Sequence, residues 1–358
     1  MSLLKQAPRF HAADAVRLAR DMYGVEASAV MLSSERDQNF LLTTAAGERF
    51  VLKIANLAER REMLDAQNAA MAHVAPRVPF CQRVLPTVAG DTIGISDGSG
   101  GSGGSDGSGG SDPLSRRPHF VRLVTYLPGV PLAEIGARTA AVLDRLGRAV
   151  GRLDAALADF DHPAAHRDFH WDLANASQVI REHLPRIGDD DHRNLVERAS
   201  TSALTWIAPR EPAFRRTVIH NDANDWNVLV AEDGAVGIID FGDMVHSWTV
   251  ADAAVAIAYA MLDAADPMQT AAAIARGYHA EHPLEEGELA ALFPLATLRL
   301  CMSACIAAWQ QQQRPDDEYL TVSQAPIRRT LPVLAAIGPR EAEKALREAS
   351  LNAKRAPA

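Results

Sequence analysis

The spacing of apolar and polar residues divides the chain into an early part with strand-like alternation and a later part ruled by helical stripes. Ala15, Val16, Ala19 and Met22 recur with a helical period across residues 12–23. Strand-like runs follow at 27–32 and 39–43, joined by a polar turn at 33–38. A third run, 49–54, sets Phe50, Leu52 and Ile54 on one face and Val51 and Lys53 on the other. A helix is expected over 58–74, then strand-like runs over 84–95 and 120–126. Between those two runs, residues 97–112 contain only Gly, Ser and Asp. Such a stretch cannot bury apolar surface, so a disordered excursion at a hairpin tip is expected. Past Pro128, Leu143, Leu146, Val150, Leu153 and Leu157 recur at steps of three and four, a core helix. Further helical runs cover 250–262 and 289–313, the second interrupted or kinked at Pro294, and 351–358 reads as a frayed tail. The fold class is therefore α+β. Residues 1–127 form a small antiparallel sheet with a helix, and residues 128–358 form a larger, mostly helical part.

One stretch breaks the helical half. Val228-Leu229-Val230 and Val236-Gly237-Ile238-Ile239 are apolar runs around Glu232-Asp233-Gly234-Ala235. Asp-Gly between apolar runs signals a tight hairpin. A two-residue turn would pair Glu232 with Ala235 and set Asn227 directly opposite Asp240. Hard oxygen donors on neighbouring strands suit Mg2+, which takes one or two protein ligands and keeps water or phosphate for the rest. Asp222 precedes the hairpin on a loop within reach of the same place.

His220-x-Asp222 with Asn227 five residues on, then Asp240-Phe241-Gly242, resembles the catalytic and metal loops of the protein-kinase-like superfamily. The resemblance implies a bilobal fold, with Asp222 as the base that accepts the substrate hydroxyl proton and His220 as a brace for the loop. It implies Asn227 and Asp240 as Mg2+ ligands and Lys53, ending Val51-Leu52-Lys53, on the nucleotide phosphates. In kinase-like folds the hinge backbone, here around Tyr126, meets the purine. Neither a Gly-x-Gly-x-x-Gly loop nor a Walker sequence is present, so the turn containing Ser34 is expected to cover the phosphates with backbone amides. Glu62 and Gln67 are both available on the following helix to partner Lys53. Thr249-Val250-Ala251-Asp252 has the form of a capping box, while kinase-like folds brace the catalytic loop with an Asp near this point.

Charge and composition narrow the partners. The 358 residues carry a net charge of −9 without a basic stripe, which argues against nucleic acid and is compatible with a cationic substrate. The cysteines are Cys81, Cys301 and Cys305, none in a Cys-x-x-Cys pair, which fits a reduced, cytoplasmic setting; Cys301 and Cys305 are expected in a core. No apolar signal-peptide core is visible near the N-terminus. The most apolar stretch, 250–262, is too short to span a bilayer, so no membrane partner is expected. A monomer or homodimer fits equally.

Only residues 244–248 separate Asp243 from Thr249, so the long activation segment and Ala-Pro-Glu of a protein kinase are missing, and Asn221 stands where such a kinase carries Arg. A small-molecule acceptor is favoured. The chain resembles the aminoglycoside phosphotransferase and choline kinase superfamily, and within it hydroxylysine kinase and its bacterial relatives. The phrases that carry the likeness begin with Asp37-Gln38-Asn39-Phe40, Val51-Leu52-Lys53-Ile54, Gln67-Asn68 and Arg122-Leu123-Val124-Thr125-Tyr126-Leu127-Pro128-Gly129. They continue with Asn224-Asp225-Trp226-Asn227-Val228-Leu229-Val230 and Ile239-Asp240-Phe241-Gly242-Asp243. The resemblance implies transfer of the γ-phosphate of ATP or GTP to a hydroxyl of an amine-bearing amino alcohol or hydroxyamino acid, 5-hydroxylysine first. It favours Gln67 as the partner of Lys53. Asp243 and Asp172 are candidate carboxylates for the substrate ammonium, with loop hydrogen bonding and helix capping as their plain alternatives. The cluster His170-Trp171-Asp172 reads either as an exposed pocket wall or as a packed Trp beside a cap. Two other functions stay open. One is a superfamily phosphotransferase acting on homoserine, choline, ethanolamine or an aminoglycoside. The other is a non-catalytic nucleotide-binding partner of a pyridoxal-phosphate enzyme, against which the joint presence of Lys53, Asp222, Asn227 and Asp240 speaks.

Overall fold

The structure, a computed structural model, describes residues 8–34, 37–96, 118–136, 138–313 and 322–353. The chain separates into two compact units, Met1–Ala75 with Gln82–Leu127, and Pro76–Cys81 with Pro128–Ala358.

The first unit holds α1 (Ala12–Tyr23), β1 (Ala27–Leu32), β2 (Gln38–Thr44), β3 (Arg49–Ile54), α2 (Arg61–Val74), β4 (Val84–Leu85), β5 (Gly94–Ile95) and β6 (Phe120–Thr125). The strands form one antiparallel sheet in the order β1-β2-β3-β6-β4, with β5 also on β6. The apolar stripe of α1 (Ala15, Leu18, Ala19, Tyr23) packs on Phe40, Leu42, Leu52, Ile54, Val121 and Leu123. The Tyr23 hydroxyl donates to Val121 O at 2.8 Å, so its polar end is satisfied inside this core.

Two elements differ from the sequence pattern. Helix α2 starts at Arg61 rather than at 58, because Asn56 holds the preceding amides in a turn: its Oδ1 accepts from Ala58 N at 3.0 Å and its carbonyl from Glu59 N at 2.9 Å. The run 84–95 is two dipeptide strands, split by Pro86, which cannot donate to a ladder, and by the turn at Gly90. At the base of the β5–β6 hairpin, Ser96 N donates to His119 O and His119 N to Ser96 Oγ, both at 2.8 Å. The Gly/Ser/Asp run 97–112 lies outside the described residues, as do 354–358 of the expected tail.

The second unit contains β7 (Val130–Pro131), α3 (Ala140–Leu157), α4 (Ala176–His183), α5 (Asp190–Ile207), β8 (Arg216–Ile219), β9 (Val228–Val230), β10 (Val236–Ile238) and β11 (Val245–Trp248). It continues with α6 (Val250–Ala260), α7 (Pro267–Glu281), α8 (Glu286–Gln313), α9 (Gln324–Ala335) and α10 (Pro339–Ala353), so residues 351–353 end a helix rather than begin a tail. The strands form two small antiparallel sheets, β10-β9-β7 and β11-β8. Helices α3 and α7 approach closely: a Cβ on Gly147 would overlap the Ile274 carbonyl.

Helix α8 runs unbroken for 28 residues through Pro294. A proline there leaves the carbonyl four residues back without its helical donor. That carbonyl, Ala290 O, accepts from Trp206 Nε1 at 2.9 Å, so a neighbouring helix supplies the missing bond. Among the described residues this helix, not the 250–262 run, is the long apolar one. By length and composition it could cross a bilayer, yet its most apolar stretch is wholly buried inside the protein. Cys301 and Cys305 lie buried on it, and burial pushes both thiols up, that of Cys305 to about 12.

Candidate active site

The hairpin forms, but one residue out of the expected register. Val236 pairs with Val230, Gly237 with Leu229 and Ile238 with Val228. The turn is a three-residue loop: Ala231 N donates to Ala235 O at 2.9 Å and Gly234 N to Ala231 O at 2.8 Å, with Gly234 left-handed at φ 78°. Asn227 therefore faces Ile239, whose amide donates to Asn227 O at 3.0 Å, and not Asp240. Asp240 lies just beyond the ladder at φ 69°, where strand alternation no longer sets its direction. Its Oδ1 accepts from Gly242 N at 3.0 Å.

The loop before β9 is anchored from below. His220 is fully buried; its Nδ1 accepts from Asp222 N at 3.2 Å, which leaves Nε2 to donate to Ile239 O at 3.2 Å. Its ring meets Phe241 edge-on at 4.9 Å, and burial lowers its pKa. Asp252, also fully buried, accepts from both His220 N and Asn221 N. Its carboxylate thus serves the loop rather than a capping box. Thr249 makes no side-chain cap to α6, and its hydroxyl bonds that of Thr217 at 2.9 Å. Asn221 takes a left-handed φ of 67°, and its Nδ2 donates to Asp243 O at 3.2 Å.

Asp222 is held from three sides. Asn224 Nδ2 donates to its Oδ1 at 2.9 Å, Asn227 Nδ2 to its Oδ2 at 2.7 Å, and Arg299 Nη2 stands 3.4 Å from Oδ1. Burial raises the Asp222 pKa well above the usual carboxylate range; the charges of Asp243 and Asp240 push the same way, against Arg299 and Asn224. Arg299 was not singled out in the sequence. It is 1% exposed on α8, lies over the Trp171 ring at 4.6 Å and donates from Nη1 to Trp171 O at 2.6 Å. A lone Arg between Leu298 and Leu300 in an apolar helix was the available signal.

Asp172 is buried and caps the short helical turn that follows it: Oδ1 accepts from Ala174 N at 2.9 Å and from the Ser247 hydroxyl. Trp171 is half-buried beneath Arg299, so of the two readings open from the sequence the packed Trp beside a cap is the one the structure shows. Asp243 is likewise buried. No group of three or more His, Cys, Asp or Glu able to hold a metal occurs among the described residues.

In the first unit, Lys53 on β3 is 8% exposed and pairs in register with Asn39 on β2 and Arg122 on β6. Arg122 Nη1 donates to Asn68 Oδ1 of α2 at 3.1 Å. Gln67 is buried on α2, whereas Glu62 is two-thirds exposed and 3.6 Å from Arg60. Ser34 is exposed, and the turn it belongs to falls partly outside the described residues. Tyr126 follows β6 with the Arg49 guanidinium 4.0 Å over its ring.

An amicoumacin kinase in complex with AMP-PNP, Ca2+ and Ami superposes with a TM-score of 0.64 at 14% identity, covering 91% of this chain and 93% of that one. The fold is thus that of the protein-kinase-like phosphotransferases. The sequence profile of the phosphotransferase enzyme family matches residues 30–292, and the chain belongs to that family. It is a small-molecule phosphotransferase that acts on an alcohol group. It is 28% identical to hydroxylysine kinase of Danio rerio over 357 residues, covering 96% of this chain and 97% of that one. It is 30% identical to hydroxylysine kinase of Mus musculus over 343 residues, covering 88% and 87%.

Proposed function

We propose that the protein transfers the γ-phosphate of GTP or ATP to the hydroxyl of 5-hydroxylysine. The near-full-length likeness to hydroxylysine kinases supports the acceptor. The observation that carries the chemistry is the Asp222 carboxylate, fixed by Asn224, Asn227 and Arg299 on a loop tied down by Asp252. Asp222 takes the hydroxyl proton as the oxygen attacks, and its fixed orientation keeps one acceptor lone pair on that proton. Phosphoryl transfer is mainly positioning and charge neutralisation.

Asn227 and Asp240 would hold Mg2+. The Asn227 amide nitrogen is engaged by Asp222, which leaves its oxygen for a cation, and the mutual repulsion of Asp222, Asp240 and Asp243 favours positive charge nearby. Two hard oxygens are enough for a cation that keeps most of its water. When bound, Mg2+ neutralises charge on the phosphates. His220 keeps the loop against Ile239, the residue before Asp240. Lys53, oriented by Gln67, binds the phosphates, while the Ser34 turn and the backbone around Tyr126 cover the nucleotide. Asp243 and Asp172 are acidic candidates for the acceptor amine.

Incubation with 5-hydroxylysine, Mg2+ and either nucleotide, followed by mass spectrometry and phosphorus NMR, tests this. A phosphate ester on the hydroxylysine oxygen is expected with at least one donor. No such ester with either donor, from protein that still binds nucleotide, excludes hydroxylysine as the acceptor.

A further inference from the structure

Asp154 on α3 is a fully buried carboxyl that no step above uses. Gly147 and Gly151 let α3 press against α7; a Cβ on Gly151 would stand 2.8 Å from Tyr278 O. Asp154 follows Gly151 by three residues and shares that face of the helix. There the Tyr278 hydroxyl donates to Asp154 Oδ2 at 2.6 Å. Burial raises the pKa of this phenol well above its ordinary value, so Tyr278 is the donor. Asp154 Oδ1 is buried and accepts no hydrogen bond. Asp154 also meets the Asp252 carboxyl of α6 within hydrogen-bonding range. Asp252, fully buried as well, already accepts from His220 N and Asn221 N. Two ionised carboxylates in buried contact repel, and neither has a donor for the other. A single proton turns that repulsion into a hydrogen bond.

The geometry points to Asp154 as a positioning residue held in its neutral, protonated form: Oδ1–H donates to the Asp252 carboxylate, Oδ2 accepts from Tyr278, and the brace under the catalytic loop is fixed from behind. Asp252 is the acceptor of the pair because two backbone amides already point at it. The bare Oδ1 is explained, since it carries the proton rather than lacking a donor. Burial first, then the charge of Asp252 and the contact with it, raise the Asp154 pKa well above the carboxylate range. The Arg215 guanidinium ahead of β8 opposes that rise, but Glu288 of α8 holds it at 2.9 and 2.5 Å. The link from Asp154 to turnover rests on Asp222 being the base; the protonation and the bracing do not.

The test compares the full chain with Asp154→Asn, whose amide copies the neutral acid, and with Asp154→Ala, or Asp154→Leu if the cavity prevents folding. The Asp154 carboxyl of the unfolded chain ionises near pH 4, whereas the folded one keeps its proton. Folding therefore takes up a proton, and stability falls as pH rises above that value. In urea unfolding from pH 5 to pH 7, the folding constant of either variant should gain about tenfold per pH unit on that of the wild type. A ratio that stays constant with pH overturns the protonated form. Hydrogen exchange of the His220 and Asn221 amides should quicken by about tenfold in Asp154→Ala, the scale of one hydrogen bond, and return most of the way in Asp154→Asn. Exchange unchanged in the Ala variant, or equally fast in both, overturns the bracing. Turnover should follow the order of the exchange rates. If exchange follows this order while kcat stays at the wild-type level in both variants, the reading of Asp222 as the base fails and that of Asp154 stands.

Discussion

Asp222 and Asp225 are the same residue type on the same loop, and the fold treats them in opposite ways. Asp222 has nitrogen donors on both oxygens, two asparagine amides and a buried guanidinium. Asp225 has one arginine on one oxygen and nothing on the other. Burial raises the pKa of both. At Asp222 the charges of Asp243 and Asp240 add to the rise, whereas Arg138 restrains that of Asp225 to about 6. A carboxylate held on both oxygens by its own protein, with one lone pair still open, is suited to a fixed orientation. One left with a bare buried oxygen keeps an unmet desolvation cost instead.

Asp240→Ala removes the hard oxygen beyond the ladder and should abolish Mg2+-dependent nucleotide binding. Titration of Mg-nucleotide checks this, and normal binding in that variant removes Asp240 from the metal role. Asp252→Ala strips the acceptor from two buried amides of the loop. At about 1–3 kcal/mol for each, the loss of stability should be about 2–6 kcal/mol, read from urea unfolding. A loss under about 1 kcal/mol would mean the loop is held elsewhere. Arg299→Met fills the space but unties one side of Asp222. A misplaced catalytic group costs about a hundredfold, so kcat should fall on that scale while nucleotide affinity holds, and Arg299→Lys should recover part. Unchanged kcat in a folded Met variant would make the clamp irrelevant to turnover. The smallest effect is at the hairpin tip, away from both carboxylates. Gly234→Ala places a side chain at φ 78° against Arg145 and should cost about 1–2 kcal/mol in thermal unfolding with kcat unaltered.

The helical stripe of α1 gave its two ends without error, because its apolar period and the glycine after it are local signals. The hairpin was legible as a hairpin, but Asp233-Gly234 does not reveal whether the turn has two residues or three. Gly234 in the left-handed region closes the longer loop, and one residue of slip takes Asp240 off the ladder. Thr249 to Asp252 matched a cap by spacing, yet two loop amides far back in the chain claimed the carboxylate. That competition is tertiary and leaves no local trace; only the resemblance to kinase-like folds implied the brace that Asp252 makes. Arg299 was visible as an isolated charge in an apolar helix, but its partner, Asp222, is 77 residues away. Asp225 sat inside the motif at a position whose identity the motif does not fix. Pro294 read as a break because Trp206, which serves the freed carbonyl, cannot be paired with it from spacing.

The central claim is that Asp222 is the base, and it is tested most directly by measuring nucleotide affinity and turnover on one preparation of Asp222→Asn beside the wild type. Affinity should stay within about threefold while kcat drops by about two to four orders of magnitude, the scale of losing a catalytic base. Turnover equal to the wild type in that variant would contradict the assignment.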